Sequence, residues 1–205
     1  MGRCYPLHQV TNPMRTPFLK YLAATTLLVA SSTLAARAQE YISLTTAKPV
    51  QLGKAPHMKV KLLSTSGQIK TYALIFAKGD EVVSGLTEFA QKYNVKSAHY
   101  QAIGDAMSAK VGVFDYGRKA FKVIPFTDPI EVTSLTGDVA LHDGKPVAHS
   151  HINVATFDGL IHGGHLFELI CGPTIELILT VEPTPLYKKL NTEFDAQLID
   201  LDLTK

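Results

Sequence analysis

Residues 60–94 of the chain read VKLLSTSGQIKTYALIFAKGDEVVSGLTEFAQKYN. Two stretches of this segment, 60–63 and 68–76, are rich in apolar and β-branched side chains, and the cluster Ser64–Gly67 between them is typical of a turn. The segment therefore predicts two strands joined by a short connection.

The second half of the same segment predicts the main helix. Its apolar residues recur at helical spacing from Val82 to Tyr93. Asp80 is placed to accept hydrogen bonds from the free backbone amides at the start of the helix, and Glu81 adds negative charge in the first turn. Asn94 is suited to end the helix.

Downstream of the helix, apolar stretches alternate with short turns. Glycine, aspartate or proline stands in nearly every gap between them. The predicted strands are 97–103, 108–114, 120–126, 130–135, 148–156, 160–171 and 174–181. Many strands with short connections and one strong helix indicate an α+β domain built on a largely antiparallel sheet. A short helix is expected in the tail, near 186–190.

Upstream, residues 1–38 have the three parts of a secretory signal. Arg15 and Lys20 precede an apolar run at 21–34, and small side chains stand three residues and one residue before the predicted cleavage point. As a helix this run rises only about 21 Å, less than a bilayer core. We therefore favour a cleaved signal over a permanent transmembrane span or a buried amphipathic helix, with Met14 as an alternative start.

Removal of the signal changes the charge and thiol content of the chain. It takes away four basic residues and no acidic ones, which leaves 16 basic and 18 acidic side chains and a net charge of −2. Such a domain lacks the broad basic face that phosphate binding requires, so nucleic acid is a disfavoured partner. Cys4 leaves with the signal, so no intramolecular disulfide is possible and Cys171 is expected to pack in the core.

The mature protein is expected in the periplasm or secreted, without a membrane span. Residues 39–59 show no sustained periodicity and contain Pro49, Gly53 and Pro56, which predicts a linker or a loosely packed arm. Residues 60–205 form the predicted folded domain.

Histidine is concentrated in one region of this domain, which holds five of the seven mature histidines. Side chains two residues apart on a strand share a face, so His149 and His151 can be directed at one point. Whether His165 joins them depends on the hairpin between the two strands.

The hairpin register has two main alternatives. A two-residue loop at 158–159 turns His165 away from the pair, whereas a three-residue loop at 157–159 places it directly across from His151. The second register puts His162 on the opposite face. We favour it because it gathers three imidazoles, although a bulge at Gly163–Gly164 would change the parity again.

Three neutral imidazoles on one rigid sheet suit Zn²⁺ or a similar first-row transition metal, with one coordination position left open for water or substrate. Such an ion can activate water or polarise a carbonyl. The candidate ligands are His149, His151 and His165. The alternative is an exposed or hydrogen-bonded histidine pair that holds no metal.

Other polar residues are weaker candidates. His162 is expected to face solvent rather than serve as a fourth ligand, His142 to lie in a loop, and His99 to be packed or hydrogen-bonded. Glu131 and Glu176 lie in apolar strands and either face solvent, which we favour, or supply acids near the histidines. The sequence contains no phosphate-binding loop, dinucleotide fingerprint or nucleophile elbow.

Seven short motifs of the chain are Lys78-Gly79-Asp80-Glu81, Gln101-Ala102-Ile103-Gly104, Ile130-Glu131-Val132-Thr133-Ser134-Leu135-Thr136-Gly137, Asp143-Gly144-Lys145-Pro146, His149-Ser150-His151, Gly163-Gly164-His165-Leu166 and Ile175-Glu176-Leu177. Together they resemble the PPC domain family (plants and prokaryotes conserved domain). The resemblance implies an α+β fold with a mixed, mainly antiparallel sheet and one main helix, assembly as a homotrimer, and a metal site matching His149, His151 and His165. The AT-hook of the plant proteins has no counterpart in this sequence.

These observations favour an exported PPC-domain protein that binds a transition metal through three histidines and takes a small-molecule ligand. Metal-assisted hydrolysis is a candidate reaction, but no residue is assigned a catalytic role and enzymatic activity is left open. A DNA-binding regulatory protein and a non-catalytic trimeric interaction module are the alternatives.

Overall fold

Long strands dominate the part of the chain that the computed structural model describes, residues 38–204. The elements in chain order are β1 (Tyr41–Ile42), β2 (Lys59–Ser66), β3 (Ile69–Ala77), α1 (Val82–Lys92), β4 (Ser97–Asp115), β5 (Ala120–Phe126), β6 (Ile130–His142), β7 (Lys145–Ala155), β8 (Ile161–Val181), β9 (Lys188–Asn191) and β10 (Ala196–Ile199). The predicted signal, apart from Ala38, lies outside the described residues.

Eight of these strands form one sheet in the order β1-β5-β4-β6-β7-β8-β3-β2, and β9 pairs with β10 separately. Strand β8 pairs with β7 near its start and with β3 and β4 further along, which closes β4, β6, β7 and β8 into a ring. All of these strand pairs are antiparallel. The predicted α+β fold, with a mainly antiparallel sheet and one main helix, is confirmed.

The start of α1 differs from the prediction. Glu81, not Asp80, caps the helix: its carboxylate accepts hydrogen bonds from the backbone amides of Val83 and Ser84. The Asp80 carboxylate instead accepts a hydrogen bond from the Ala77 amide, in the loop before the helix. The longer glutamate side chain reaches forward to the first turn while the aspartate is occupied behind it.

Two pairs of predicted strands are single long strands. Segments 97–103 and 108–114 are continuous in β4, and segments 160–171 and 174–181 are continuous in β8. Gly104, the expected break in the first pair, has φ 144 and lies at a register shift, which bends β4 without ending it. A Cβ at this position would lie 2.2 Å from the Thr174 carbonyl oxygen of β8. Only glycine therefore allows β8 to approach β4 this closely.

The tail also differs from the prediction. Residues 188–191 form β9, so the expected helix near 186–190 is wrong. A second short strand follows at 196–199, and pairing with it satisfies the backbone of β9 in an extended conformation.

Residues 39–59, predicted as a linker or arm, make specific contacts in the structure. Strand β1 pairs with β5, and Ala55 is buried in the core. The core lies between the sheet and α1, whose Leu86 and Phe89 are fully buried. Cys171 is also fully buried, as predicted. Within residues 38–204, no helix combines the length and the apolar composition needed to cross a bilayer.

Candidate metal centre

The hairpin between β7 and β8 has the register that brings the three histidines together. His151 lies directly opposite His165, and Val154 lies opposite His162. Gly159 has φ 78, the left-handed conformation expected of a glycine at the end of a three-residue loop. The favoured register is therefore confirmed, and the β7–β8 pairing runs through Gly163 and Gly164 without a shift.

The three imidazole rings form one cluster. Their centroids are 5.1 Å apart for His149 and His151, 5.1 Å for His149 and His165, and 5.5 Å for His151 and His165. One nitrogen from each ring lies within 4.8 Å of the other two. Ligand nitrogens bind a zinc-like ion at about 2.0 to 2.1 Å, so three ring nitrogens grouped this closely are a candidate ligand set.

His165 is the most enclosed member of the cluster. Its ring centroid lies 4.7 Å from that of Phe121 and 4.8 Å from that of Phe167. Burial, together with the charges of His149, His151 and Lys188, lowers its pKa to about 3. The ring is therefore neutral at pH 7 and keeps a lone pair for a ligand.

The Nδ1 atom of His165 is buried and has no hydrogen-bond partner among residues 38–204. Leaving a buried polar atom unpaired costs about 1 to 3 kcal/mol. A metal ion in the cluster gives an imidazole a lone-pair partner, so these residues fit the ion that the sequence predicts. His151 is more exposed, and burial together with the charge of His149 lowers its pKa as well.

His149 is oriented by an acidic residue on the neighbouring strand. Asp138 of β6 is its cross-strand partner, and Asp138 Oδ2 lies 3.3 Å from His149 Nδ1. This contact leaves Nε2 as the ring nitrogen free for a metal. Burial by itself raises the pKa of Asp138, but the hydrogen bond from His149 and the charge of Lys188 outweigh it, so the pKa is lowered.

Sequence reasoning missed Asp138, although a signal for it exists. Asp143 and Gly144 both have positive φ, 48 and 73, which is the geometry of a two-residue hairpin loop. An Asp-Gly pair between two strands predicts this loop, and the resulting register places residue 138 opposite residue 149.

A second missed contact supports the histidine strand from the buried side. The Tyr100 hydroxyl lies 2.8 Å from Ser150 Oγ and donates a hydrogen bond to the carbonyl oxygen of His149, 3.0 Å away. The Tyr100 side chain reaches β7 across Gly137 of β6. Glycine is needed there, because a Cβ would lie 2.2 Å from the His149 carbonyl oxygen. Burial raises the pKa of Tyr100, so the hydroxyl stays protonated. No short sequence motif marks this three-strand contact.

The remaining candidates lie outside the cluster. His162 is exposed, as predicted, with its ring 5.5 Å from that of Phe126. His142 ends β6 beside the Asp143 turn rather than lying within a loop. His99 is not packed: its side chain is largely exposed and lies 3.5 Å from the Glu182 carboxylate.

The two strand glutamates face solvent. Glu131 and Glu176 are both exposed, as we favoured, and neither belongs to the three-histidine cluster found among the described residues. Alternating exposure along an antiparallel strand explains why each stands between buried neighbours.

The fold and the site together place this protein among small, β-rich α+β domains with a candidate metal centre made of three histidines. Residues 63–182 match the model of the Plants and Prokaryotes Conserved (PCC) domain. The chain belongs to this family, the same family that the sequence motifs resemble. Among curated proteins, none matches the chain.

Several solved structures share the fold. A candidate DNA-binding protein from Ralstonia eutropha JMP134 is 31% identical, over 63% of this chain and 90% of that chain, with a TM-score of 0.60. A PPC protein from Pyrococcus horikoshii is 28% identical, over 68% of this chain and 100% of that chain, with a TM-score of 0.61. A metal-containing protein from Archaeoglobus fulgidus is 25% identical, over 69% of this chain and 96% of that chain, with a TM-score of 0.59.

Proposed function

We propose that this protein binds a transition metal, Zn²⁺ or a similar first-row ion, through His149, His151 and His165. The observation that carries the proposal is the convergence of three ring nitrogens within 4.8 Å of one another. The buried Nδ1 of His165 supports it, because that atom lacks a hydrogen-bond partner in the described part of the chain. The description of the Archaeoglobus fulgidus relative as metal-containing is consistent with it.

The residues around the cluster have distinct roles in this proposal. Asp138 holds the His149 ring through Nδ1, so that Nε2 faces the ion. Phe121 and Phe167 pack against the His165 ring and help to exclude water from it. When bound, the metal supplies a Lewis acid, which suits binding or hydrolysis of a small molecule.

We further propose that the protein is exported, to the periplasm or beyond, and assembles as a homotrimer. The signal features of residues 1–38 support export. The trimer is an expectation from the family resemblance. Size-exclusion chromatography with light scattering of the mature protein, together with cell fractionation, tests both parts.

The decisive experiment is elemental analysis of mature protein purified without an affinity tag. We expect about one transition-metal ion per chain, and loss of that ion in His151→Ala. His162→Ala is the matched control, because His162 lies on β8 near the same hairpin but outside the cluster. Full metal occupancy in His151→Ala, or no metal in the wild type after zinc reconstitution, overturns the proposal.

DNA binding is a second candidate, because the Ralstonia eutropha relative is described as a candidate DNA-binding protein. It requires residence in the cytoplasm and an affinity for duplex DNA that falls steeply with salt. The net charge of −2 predicted for the mature chain argues against it. Processed protein found only outside the cytoplasm, with no salt-dependent DNA binding, removes this candidate.

A further inference from the structure

Lys188 brings a buried positive charge to the metal cluster from outside the matched family domain. It opens β9, beyond the matched residues 63–182. Its side chain is only 5% exposed, whereas that of the next residue, Lys189, is 66% exposed. A lysine is rarely buried without a partner, so the position calls for a physical explanation.

The partner of Lys188 is the carboxylate that orients the metal ligand. Lys188 Nζ lies 3.4 Å from Asp138 Oδ1, and the other oxygen of the same carboxylate lies 3.3 Å from His149 Nδ1. The contact between Lys188 Nζ and Asp138 Oδ1 is an ion pair between a buried lysine and a partly buried carboxylate. Asp138 therefore connects Lys188 of the C-terminal hairpin to His149 of the histidine cluster.

Backbone contacts fix Lys188 in this position. The preceding residue, Tyr187, forms a parallel bridge with Leu141 at the end of β6. The Leu141 amide also donates a 2.7 Å hydrogen bond to the Leu186 carbonyl oxygen. The C-terminal segment is therefore bound to the strand that carries Asp138.

The consequence for the site concerns its net charge. Imidazoles bind metals as neutral ligands. Within residues 38–204, the metal cluster contains no carboxylate, so Asp138 behind His149 is the acid in contact with it. Because Lys188 balances Asp138, a divalent ion in the cluster keeps its full charge, and an electrostatically complementary ligand is negative.

We propose that Lys188 is a specificity-determining residue that neutralises Asp138 and so makes the metal centre select an anionic ligand, for which acetate is a simple probe. This inference rests on the proposed metal-binding function. It assigns a role in ligand choice to the C-terminal hairpin, which lies beyond the residues that match the family model.

The test compares Lys188→Met with the wild type in metal-loaded protein, using Co²⁺ as a visible probe. We expect the variant to bind acetate roughly threefold to tenfold more weakly, because the unbalanced Asp138 then repels it. Co²⁺ itself should bind more tightly, by about tenfold, since the same carboxylate attracts a dication. Neutral imidazole, titrated as a second probe, should bind with unchanged affinity.

Two further variants sharpen the result. Lys189→Met removes an exposed lysine from the same strand and should change neither affinity. Asp138→Asn removes the opposite charge and should shift both affinities the other way: tighter acetate and weaker Co²⁺. Circular dichroism tests whether each variant is folded. If Lys188→Met does not fold, the acetate affinity of Co²⁺-loaded Asp138→Asn decides the matter, because loss of the contact with His149 also weakens Co²⁺ binding.

The possible failures are distinguishable. If wild-type protein does not bind Co²⁺, the proposed function fails. If it binds Co²⁺ but acetate affinity is the same in the wild type, Lys188→Met and Asp138→Asn, the metal site stands and the role of Lys188 is refuted. Equal weakening of acetate and imidazole in Lys188→Met also refutes it, because a loss common to both probes reflects disruption rather than charge.

Discussion

Gly137 lies against the backbone of His149, so a substitution there should affect both the stability of the fold and the candidate metal centre. A Cβ at this position would lie 2.2 Å from the His149 carbonyl oxygen and 2.5 Å from the Tyr100 hydroxyl. Ordinary van der Waals contact begins at 3.4 Å, so Gly137→Ala requires the backbone at His149 to retreat by about 1 Å. Because that atom is main chain within a paired strand, no side-chain rotation relieves the contact.

The magnitude follows from the cost of overpacking a rigid interior. We expect Gly137→Ala to lower the free energy of unfolding by about 2 to 3 kcal/mol. For a domain of this size, that corresponds to a fall in Tm of roughly 5 to 10 °C. Displacement of His149 should also weaken metal binding by about tenfold or more, since ligand orientation contributes that much in metal sites.

The assay is thermal unfolding of the metal-free protein, followed by a metal competition titration of the folded variant at lower temperature. Gly117→Ala is the matched control, because a Cβ there meets only the flexible Asp115 side chain at 3.3 Å. A Tm within about 1 °C of the wild type and unchanged metal affinity in Gly137→Ala would refute the reasoning.

Two further predictions concern buried groups that lie away from the three-histidine cluster. Burial raises the pKa of the Cys171 thiol from 9.0 to about 11. Unfolding therefore releases a proton between these values, and the free energy of unfolding should fall by about 2 to 3 kcal/mol as pH rises through that window. Denaturant titrations at pH 8 and 11 should show this loss in the wild type and a smaller one in Cys171→Ala; equal losses contradict it. The two oxygens of Glu81 accept hydrogen bonds from the backbone amides of Val83, Ser84 and Leu169. Glu81→Gln replaces one of these oxygens by an amide donor, which then opposes at least one backbone donor, and should cost about 1 to 3 kcal/mol by urea denaturation. Exposed Glu176→Gln should be neutral, and equal stability of the two variants would contradict the role of Glu81.

Local sequence signals predicted the histidine hairpin because its register depends on few residues. The loop before Leu160 contains the glycine that a three-residue connection needs, and that loop alone places His165 opposite His151. The alternation of strand side chains then determines which histidines share a face. Because both strands of the hairpin are adjacent in sequence, local geometry reduced the register to two main alternatives, and the pairing of His151 with His165 in the structure decides between them.

Contacts between residues far apart in sequence explain where the structure differs from the sequence-based predictions. The sequence predicted that the strand would end at Gly104. In the structure β4 continues through this residue, because it pairs with β8 on both sides of the register shift that follows Gly104. The predicted helix in the tail became β9, because a partner strand follows it after a short turn. In both cases, pairing available only in the folded chain outweighed a local preference.

The amino-acid sequence by itself was enough to predict the α+β class, the main helix and the set of three histidines, since periodicity, turn residues and hairpin loops act over a few neighbouring positions. Only the tertiary structure places Tyr100 beneath His149 and Lys188 beside Asp138. These contacts join strands that are far apart along the chain, and their distances depend on how the whole sheet closes. The three histidines of the candidate site are therefore recognisable from local sequence patterns, whereas the charge and rigidity around them depend on the tertiary fold.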